Sequence, residues 1–273
     1  MVFLHDGIEF HYEEAGAGLP FVFQHGLGGD TTQPFGLFKP PPGIRLLAFD
    51  ARAHGKTKPV PPPETLCFTS FGHDLAAFLD HLKLERAIIG GISMGAALAL
   101  HFTLRYPNRV IALVLSRPAW LETPYAWNVR MFSLISSLIR THGTQQGLAE
   151  FKKTPEYLEA LEKWPDVATS FTNQFLAPGA DETALKLERI INDSPHPDRK
   201  AWAAIQVPTL VLGNRLDPIH PFEFAAELSR AIPGARFEEI TSKSVSLELH
   251  QADVQRIVAD FLNPIVERES GQA

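Results

Sequence analysis

Cysteine occurs once in the 273 residues, at Cys67. A single thiol forms no internal disulfide and supplies no multi-cysteine zinc site, so thiol-redox and zinc-ribbon functions are excluded. Clustered basic residues are also missing. The net charge is −6, and no run of Lys or Arg could track phosphates, which argues against nucleic acid as a partner. No stretch approaches the roughly 18 apolar residues of a membrane span. The opening MVFLHDGIEFHYEEAG lacks a basic region followed by a long apolar core, so neither a leader nor a membrane anchor is expected. The biased compositions of disordered, collagenous and coiled-coil chains are absent as well. What is present is 45% hydrophobic residues, ample for a buried core, in a length suited to one large domain or two small ones. A soluble, cytoplasmic globular protein is expected. Its 11 histidines stand out, because one or two at most are expected to do chemistry.

Apolar runs alternate with helical periodicity along most of the chain, the pattern of strands and helices taking turns. Strands are expected at 19–24, 44–50, 87–93, 110–116, 209–214 and 235–240, and helices at 71–82, 94–106, 222–232 and near 251–262. Phe71, Leu75, Phe78, Leu79 and Leu82 follow one helical face. The strands are continuously apolar, as parallel strands covered on both faces must be. Between 117 and about 205 the alternation stops. Helical periodicity continues there without a convincing strand: Val129, Phe132, Ile135 and Ile139 on one face, Tyr157, Leu158 and Leu161 on another, then Phe171, Phe175 and Leu176. This stretch reads as a helical insertion over the sheet. The proline stretches at 40–42 and 59–63 read as rigid loops.

Gly91-Ile92-Ser93-Met94-Gly95 matches G-x-S-x-G, and it follows an apolar strand and opens a helix of small residues. On that sharp turn the serine backbone is strained and its hydroxyl is lifted clear of the sheet, beside the unpaired N–H groups of a helix N-terminus. Ser93 is the candidate nucleophile. Gln24-His25-Gly26-Leu27-Gly28-Gly29 forms a second glycine-bearing loop after an early strand. The N–H groups of Leu27 and Met94 are the expected oxyanion hole. A phosphate loop fits poorly, since neither Gly-Lys-Ser/Thr nor G-x-G-x-x-G occurs there.

With these features the chain resembles the α/β-hydrolase superfamily. The likeness rests on QHGLGG at 24–29, FDARAHGKT at 49–57, GGISMGAALAL at 90–100, PTLVLGNRLDPIHP at 208–221 and VADFL at 258–262. It implies a mostly parallel eight-stranded sheet with helices on both faces, a helical cap after the sixth strand, and an active site between them. The expected division is a core of 1–116 and 206–273 with a cap of 117–205.

A serine hydroxyl needs an imidazole to take its proton and a carboxylate to orient that imidazole. Asp217 follows the strand 209–214, where the family places its acid, and is the expected carboxylate. Family members carry the histidine in a Gly-His about 17 residues before the Phe-Leu of the last helix. Here that position is Ser244, and the nearest histidine is His250. His250 is the expected base, delivered by a rearranged loop, with His220 as second candidate. A helix-capping role for His250 is the plainer alternative. His25 is expected to shape the oxyanion loop, and His54 to belong to the Asp50 loop. No histidine spacing supports a metal site, and no cofactor is expected.

A serine at this position excludes the aspartate-based dehalogenases and epoxide hydrolases of the superfamily. The expected reaction is hydrolysis, through an acyl-enzyme, of a small or medium-sized, largely apolar ester, lactone or thioester, as in a carboxylesterase or lactonase. Trp120, Trp127, Phe132 and Phe175 are expected to line the pocket. Arg117 and Arg130 are the nearest cations; either could hold a substrate carboxylate, although an ion pair at the hinge is the more ordinary role. A hydrolase-fold binding protein with little turnover, a carbon–carbon bond hydrolase and a cofactor-independent oxygenase remain as alternatives. The expected partner is a small-molecule substrate, and self-association into a homo-oligomer is left open.

Overall fold

The computed structural model describes residues 1–196 and 198–271, so the last two residues of the expected core segment 206–273 lie outside the described residues, as does one residue of the insertion. The chain begins with strands β1 (Val2–His5), β2 (Ile8–Gly16) and β3 (Gly18–Gln24), then helix α1 (Thr32–Leu37) and β4 (Gly43–Phe49). Helix α2 (Phe68–His81), β5 (Ala87–Ile92), α3 (Met94–Arg105) and β6 (Val110–Ser116) follow. Five helices come next: α4 (Ala126–Phe151), α5 (Pro155–Lys163), α6 (Pro165–Leu176), α7 (Ala180–Thr183) and α8 (Leu185–Arg189). The chain then returns to the sheet through β7 (Thr209–Gly213), α9 (Phe222–Ala231), β8 (Arg236–Glu239) and α10 (Leu247–Ser270).

The eight strands form one sheet in the order β1-β2-β4-β3-β5-β6-β7-β8. β1, β2 and β4 pair antiparallel, and every pairing from β4 through β8 is parallel. β4, β5, β6 and β7 are apolar almost throughout because both faces are covered. On one face Phe71, Leu75, Phe78 and Leu79 of α2 pack with α3 and α9. On the other, Val254, Ile257, Val258 and Leu262 of α10 cover Phe21, Leu46, Val114 and Leu210. The last helix begins earlier than the apolar pattern suggested, because the Ser246 hydroxyl accepts the Leu249 N–H at 3.2 Å and caps it.

The chain runs outward from β3 to β4 and then crosses to β5 on the other side of β3. Loops leaving the carboxyl ends of β3 and β5 therefore diverge, and a crevice opens where the strand order reverses. Gln24 pairs with Gly91 across this point, which sets the segments after them side by side. The helices α4 to α8 lie between β6 and β7 in the chain, where the periodicity located the insertion. Their inward faces are not all as the pattern suggested. Phe132, Ile135, Phe171 and Phe175 are buried, whereas Leu158, Leu161 and Leu176 are exposed. No helix among the described residues is long and apolar enough to cross a membrane.

Candidate active site

Ser93 is the single residue between β5 and α3, with φ 56° and ψ −110°. A positive φ at a residue with a side chain costs about 1–3 kcal/mol and persists only where the surroundings enforce it. The Ser93 N–H is fixed by the Ser116 carbonyl at 3.0 Å. Gly91 and Gly95 let the turn close: a Cβ on Gly91 would strike the Gly95 backbone, and one on Gly95 the Gln24 carbonyl. The Ser93 side chain reaches a cavity of about 100 Å³ that Gly26 and Leu27 also line. The loop carrying these two is held from below. His25 donates from Nδ1 to the Gly26 carbonyl at 2.8 Å and accepts the Ala51 N–H on Nε2 at 3.0 Å. Burial holds its pKa below the ordinary value, so the ring stays neutral. The Gly26 N–H donates to Gln33 Oε1 at 2.6 Å. Met94, as the first residue of α3, has an N–H outside the helical ladder.

Asp217 follows β7 in a tight turn that Leu216 enters at φ 60°. The Ile219 N–H donates to Asp217 Oδ1 at 3.2 Å, and His220 donates from Nδ1 to Asp217 Oδ2 at 2.8 Å. Arg117, at φ 49° after β6, donates from Nη1 to the same Oδ2 at 3.2 Å. Burial would raise the Asp217 pKa, but the His220 and Arg117 charges and the His220 hydrogen bonds outweigh it, holding the carboxylate well below its usual range. Burial is also the main influence on His220. It lowers that pKa, with Arg117 acting in the same direction and Asp217 against it. With its Nδ1 hydrogen on Asp217, the neutral ring carries its lone pair on Nε2. That atom is buried without a protein partner among the described residues, and His220 lines the same cavity as Ser93.

His250 is not brought to Asp217. It sits in the first turn of α10, completely buried, and donates from Nδ1 to the Thr241 carbonyl at 2.8 Å. The Ser246 cap starts the helix before His250, so the flexible loop required to deliver it to the acid does not exist. Burial and the Arg117 charge push its pKa down to about 4. Ser244, at the family's histidine position, donates to Asp166 Oδ1 at 3.0 Å. The neighbouring Lys243 lines the Ser93 cavity instead.

Of the aromatic residues expected in the pocket, Trp120 and Phe132 line it. Trp127 and Phe175 do not. Trp127 packs on Phe171, and Phe175 on Phe151, inside the helical insertion. A helical face identifies such residues as inward without saying whether they meet the pocket or one another. Val167, Ser170 and Gln174 of α6 supply the wall in their place, and their mixed polarity concealed them in the sequence. Arg117 makes the hinge ion pair expected of it, while Arg130 is exposed.

The family described as alpha/beta hydrolase fold matches residues 20–244. An AB hydrolase superfamily protein of Bacillus subtilis is 31% identical over 266 residues, covering 92% of this chain and 94% of that protein. The 3-oxoadipate enol-lactonase 2 of Acinetobacter baylyi is 29% identical over 182 residues, covering 64% of this chain and 62% of its own. Among solved structures, the enol-lactonase from Burkholderia xenovorans superposes with a TM-score of 0.73 at 25% identity, covering 96% of this chain and 100% of that one.

Proposed function

The chain belongs to the alpha/beta hydrolase family, and on that footing we propose that it is a serine hydrolase acting through an acyl-enzyme on a small or medium-sized ester, lactone or thioester. The observation that carries this reading is the 2.8 Å contact from His220 Nδ1 to Asp217 Oδ2, with His220 Nε2 left without a partner among the described residues and His220 lining the cavity that holds Ser93. Ser93 is the nucleophile, His220 the base and Asp217 the acid that orients it. The helices of 117–205 are the cap, closing the pocket from above with Trp120, Phe132 and Val167.

Each group has one task. The Nε2 lone pair of His220 accepts the Ser93 proton as Oγ attacks the carbonyl carbon, and the imidazolium that forms is stabilised by Asp217. The oxygen of the tetrahedral intermediate takes hydrogen bonds from the Leu27 and Met94 N–H groups, each worth on the order of 3 kcal/mol in the transition state. His220 then returns the proton to the leaving alkoxide. Water enters, gives its proton to His220, and repeats the sequence on the acyl-enzyme, releasing the acid and restoring Ser93.

A fluorophosphonate probe and a para-nitrophenyl ester test the reading. Covalent labelling and a burst of nitrophenol, both lost in Ser93→Ala, are the expected outcome. A wild-type protein that neither labels nor turns over would instead be the binding protein of this fold.

A further inference from the structure

Behind Lys243 lies a second chamber of about 220 Å³, and Gln33, Ile92, Arg117 and Lys243 line both it and the Ser93 cavity. We propose that the two chambers form one binding site for an anionic substrate, with the scissile carbonyl over Ser93 in the first and a carboxylate held against Arg117 and Lys243 in the second. This rests on the serine-hydrolase reading and adds the substrate's charge to it.

The second chamber has two cations in its lining and no carboxylate. Arg117 is 6% exposed and spends one contact, through Nη1, on Asp217, while its Nε is buried without a partner among the described residues. Lys243 has no ion pair or side-chain hydrogen bond among the described residues; the nearby Asp166 accepts the Ser244 hydroxyl. Asp217 and Asp166 both act on Lys243, but neither lines the second chamber, so inside it the two positive charges face no carboxylate. The Arg117 charge, with burial second, lowers the Lys243 pKa to about 8. Close cations without counter-charge are costly unless something is bound between them. An anion in the chamber would meet both cations, and a carboxylate presents its planar pair of oxygens to a guanidinium and an ammonium together. The remaining polar groups suit an acceptor ligand. Gln33 has its Oε1 occupied by the Gly26 N–H, so its amide hydrogens are the part available to donate. Thr32 and Gln251 add further polar groups to the lining, whereas His250, with its Nδ1 hydrogen on the Thr241 carbonyl, has only a lone pair on Nε2 and offers an anion no hydrogen bond.

The test compares the para-nitrophenyl monoester of glutarate with the neutral valerate ester, and measures glutarate binding to Ser93→Ala by calorimetry. The wild type is expected to prefer the anionic ester. Lys243→Met lowers the ratio of the two kcat/KM values at least about tenfold, chiefly through KM, and Lys243→Arg restores most of it. Glutarate binding weakens by a similar factor when Lys243→Met is added to Ser93→Ala, and inorganic phosphate does not displace the glutarate. Turnover in which the ratio falls by less than about tenfold overturns the proposal and leaves the hydrolase reading standing. A phosphate that displaces glutarate overturns the carboxylate assignment. Lys243-dependent glutarate binding without acylation of Ser93 upholds the anion site and sinks the hydrolase reading.

Discussion

His220 donates from Nδ1 to Oδ2 of Asp217 at 2.8 Å, although only two residues lie between them. A pair so close in sequence meets because the turn after β7 doubles back, with the Ile219 N–H on Asp217 Oδ1 and the His220 N–H on the Asp217 carbonyl at 3.2 Å. The contact fixes the tautomer and leaves a lone pair on Nε2, the atom proposed to take the Ser93 proton. His220→Ala is therefore expected to lower kcat on a neutral aryl ester by about 10²–10⁴-fold, approaching Ser93→Ala. His250→Ala should act mainly on stability, since its ring is a buried anchor between α10 and Thr241. Parallel kinetics and melting curves on the three variants separate these effects.

The pH profile follows from the same pair. Burial lowers the His220 pKa from 6.5, so the free enzyme holds the base form through neutrality. The acid limb of kcat/KM should have its midpoint below 6.5. With the carboxylate ester a second, alkaline limb should appear near 8 as Lys243 loses its proton. The valerate ester should show a weaker alkaline limb.

Away from the site, Arg52 and Asp74 form a buried two-point pair, Nε to Oδ2 at 2.7 Å and Nη2 to Oδ1 at 2.8 Å. Truncating the acid leaves a guanidinium that is 2% exposed with one remaining carboxylate contact, from Nη2 to the exposed Asp6 at 2.9 Å. Asp74→Ala should cost about 3–5 kcal/mol in urea unfolding. Replacing both partners by apolar residues of similar size should cost less than the single change.

Lys186 of α8 reaches across to the core and donates to the Ala53 carbonyl at 2.9 Å. Burial lowers its pKa from 10.5 to about 8. Between these values the unfolded chain binds more protons than the folded one, so the contribution of Lys186 to stability rises with pH. The full window is worth on the order of 3 kcal/mol. The melting temperature of the wild type, measured against Lys186→Met, should climb between pH 7 and pH 10. A constant difference would show that the lysine titrates normally.

Most strands and helices were legible because they carry their own periodic signal; the six-residue α1 (Thr32–Leu37) is too short to show one. The β6 strand occupies Val110–Ser116, as its unbroken apolar run implied. The Ser93 turn was legible as well, since the five residues Gly91–Gly95 join a strand directly to a helix and their steric demands are local. His220 was harder to see: two residues of separation look too short for an acid–base pair, and only the conformation of the Asp217 turn brings the side chains together. Pro218 and Pro221, each directly following one member of the pair in DPIHP, were the available signal, since both restrict the backbone to turn-like values. Counting back from the last helix leads to Ser244, and the nearest histidine to that position is His250. A count of residues cannot reveal that Ser246 starts that helix early and seals the ring inside it.

The chain by itself determined where most strands and helices lie and where their alternation stops after residue 116, because burial patterns and turn residues act over short stretches. The tertiary structure decided which histidine meets the acid, which aromatic residues meet the pocket, and that Arg117 and Lys243 stand over one chamber. The first is set by the conformation of the single turn after β7, and the others are relations between separate elements. They depend on the direction in which each side chain leaves its turn, and the packing of the whole sheet sets that direction.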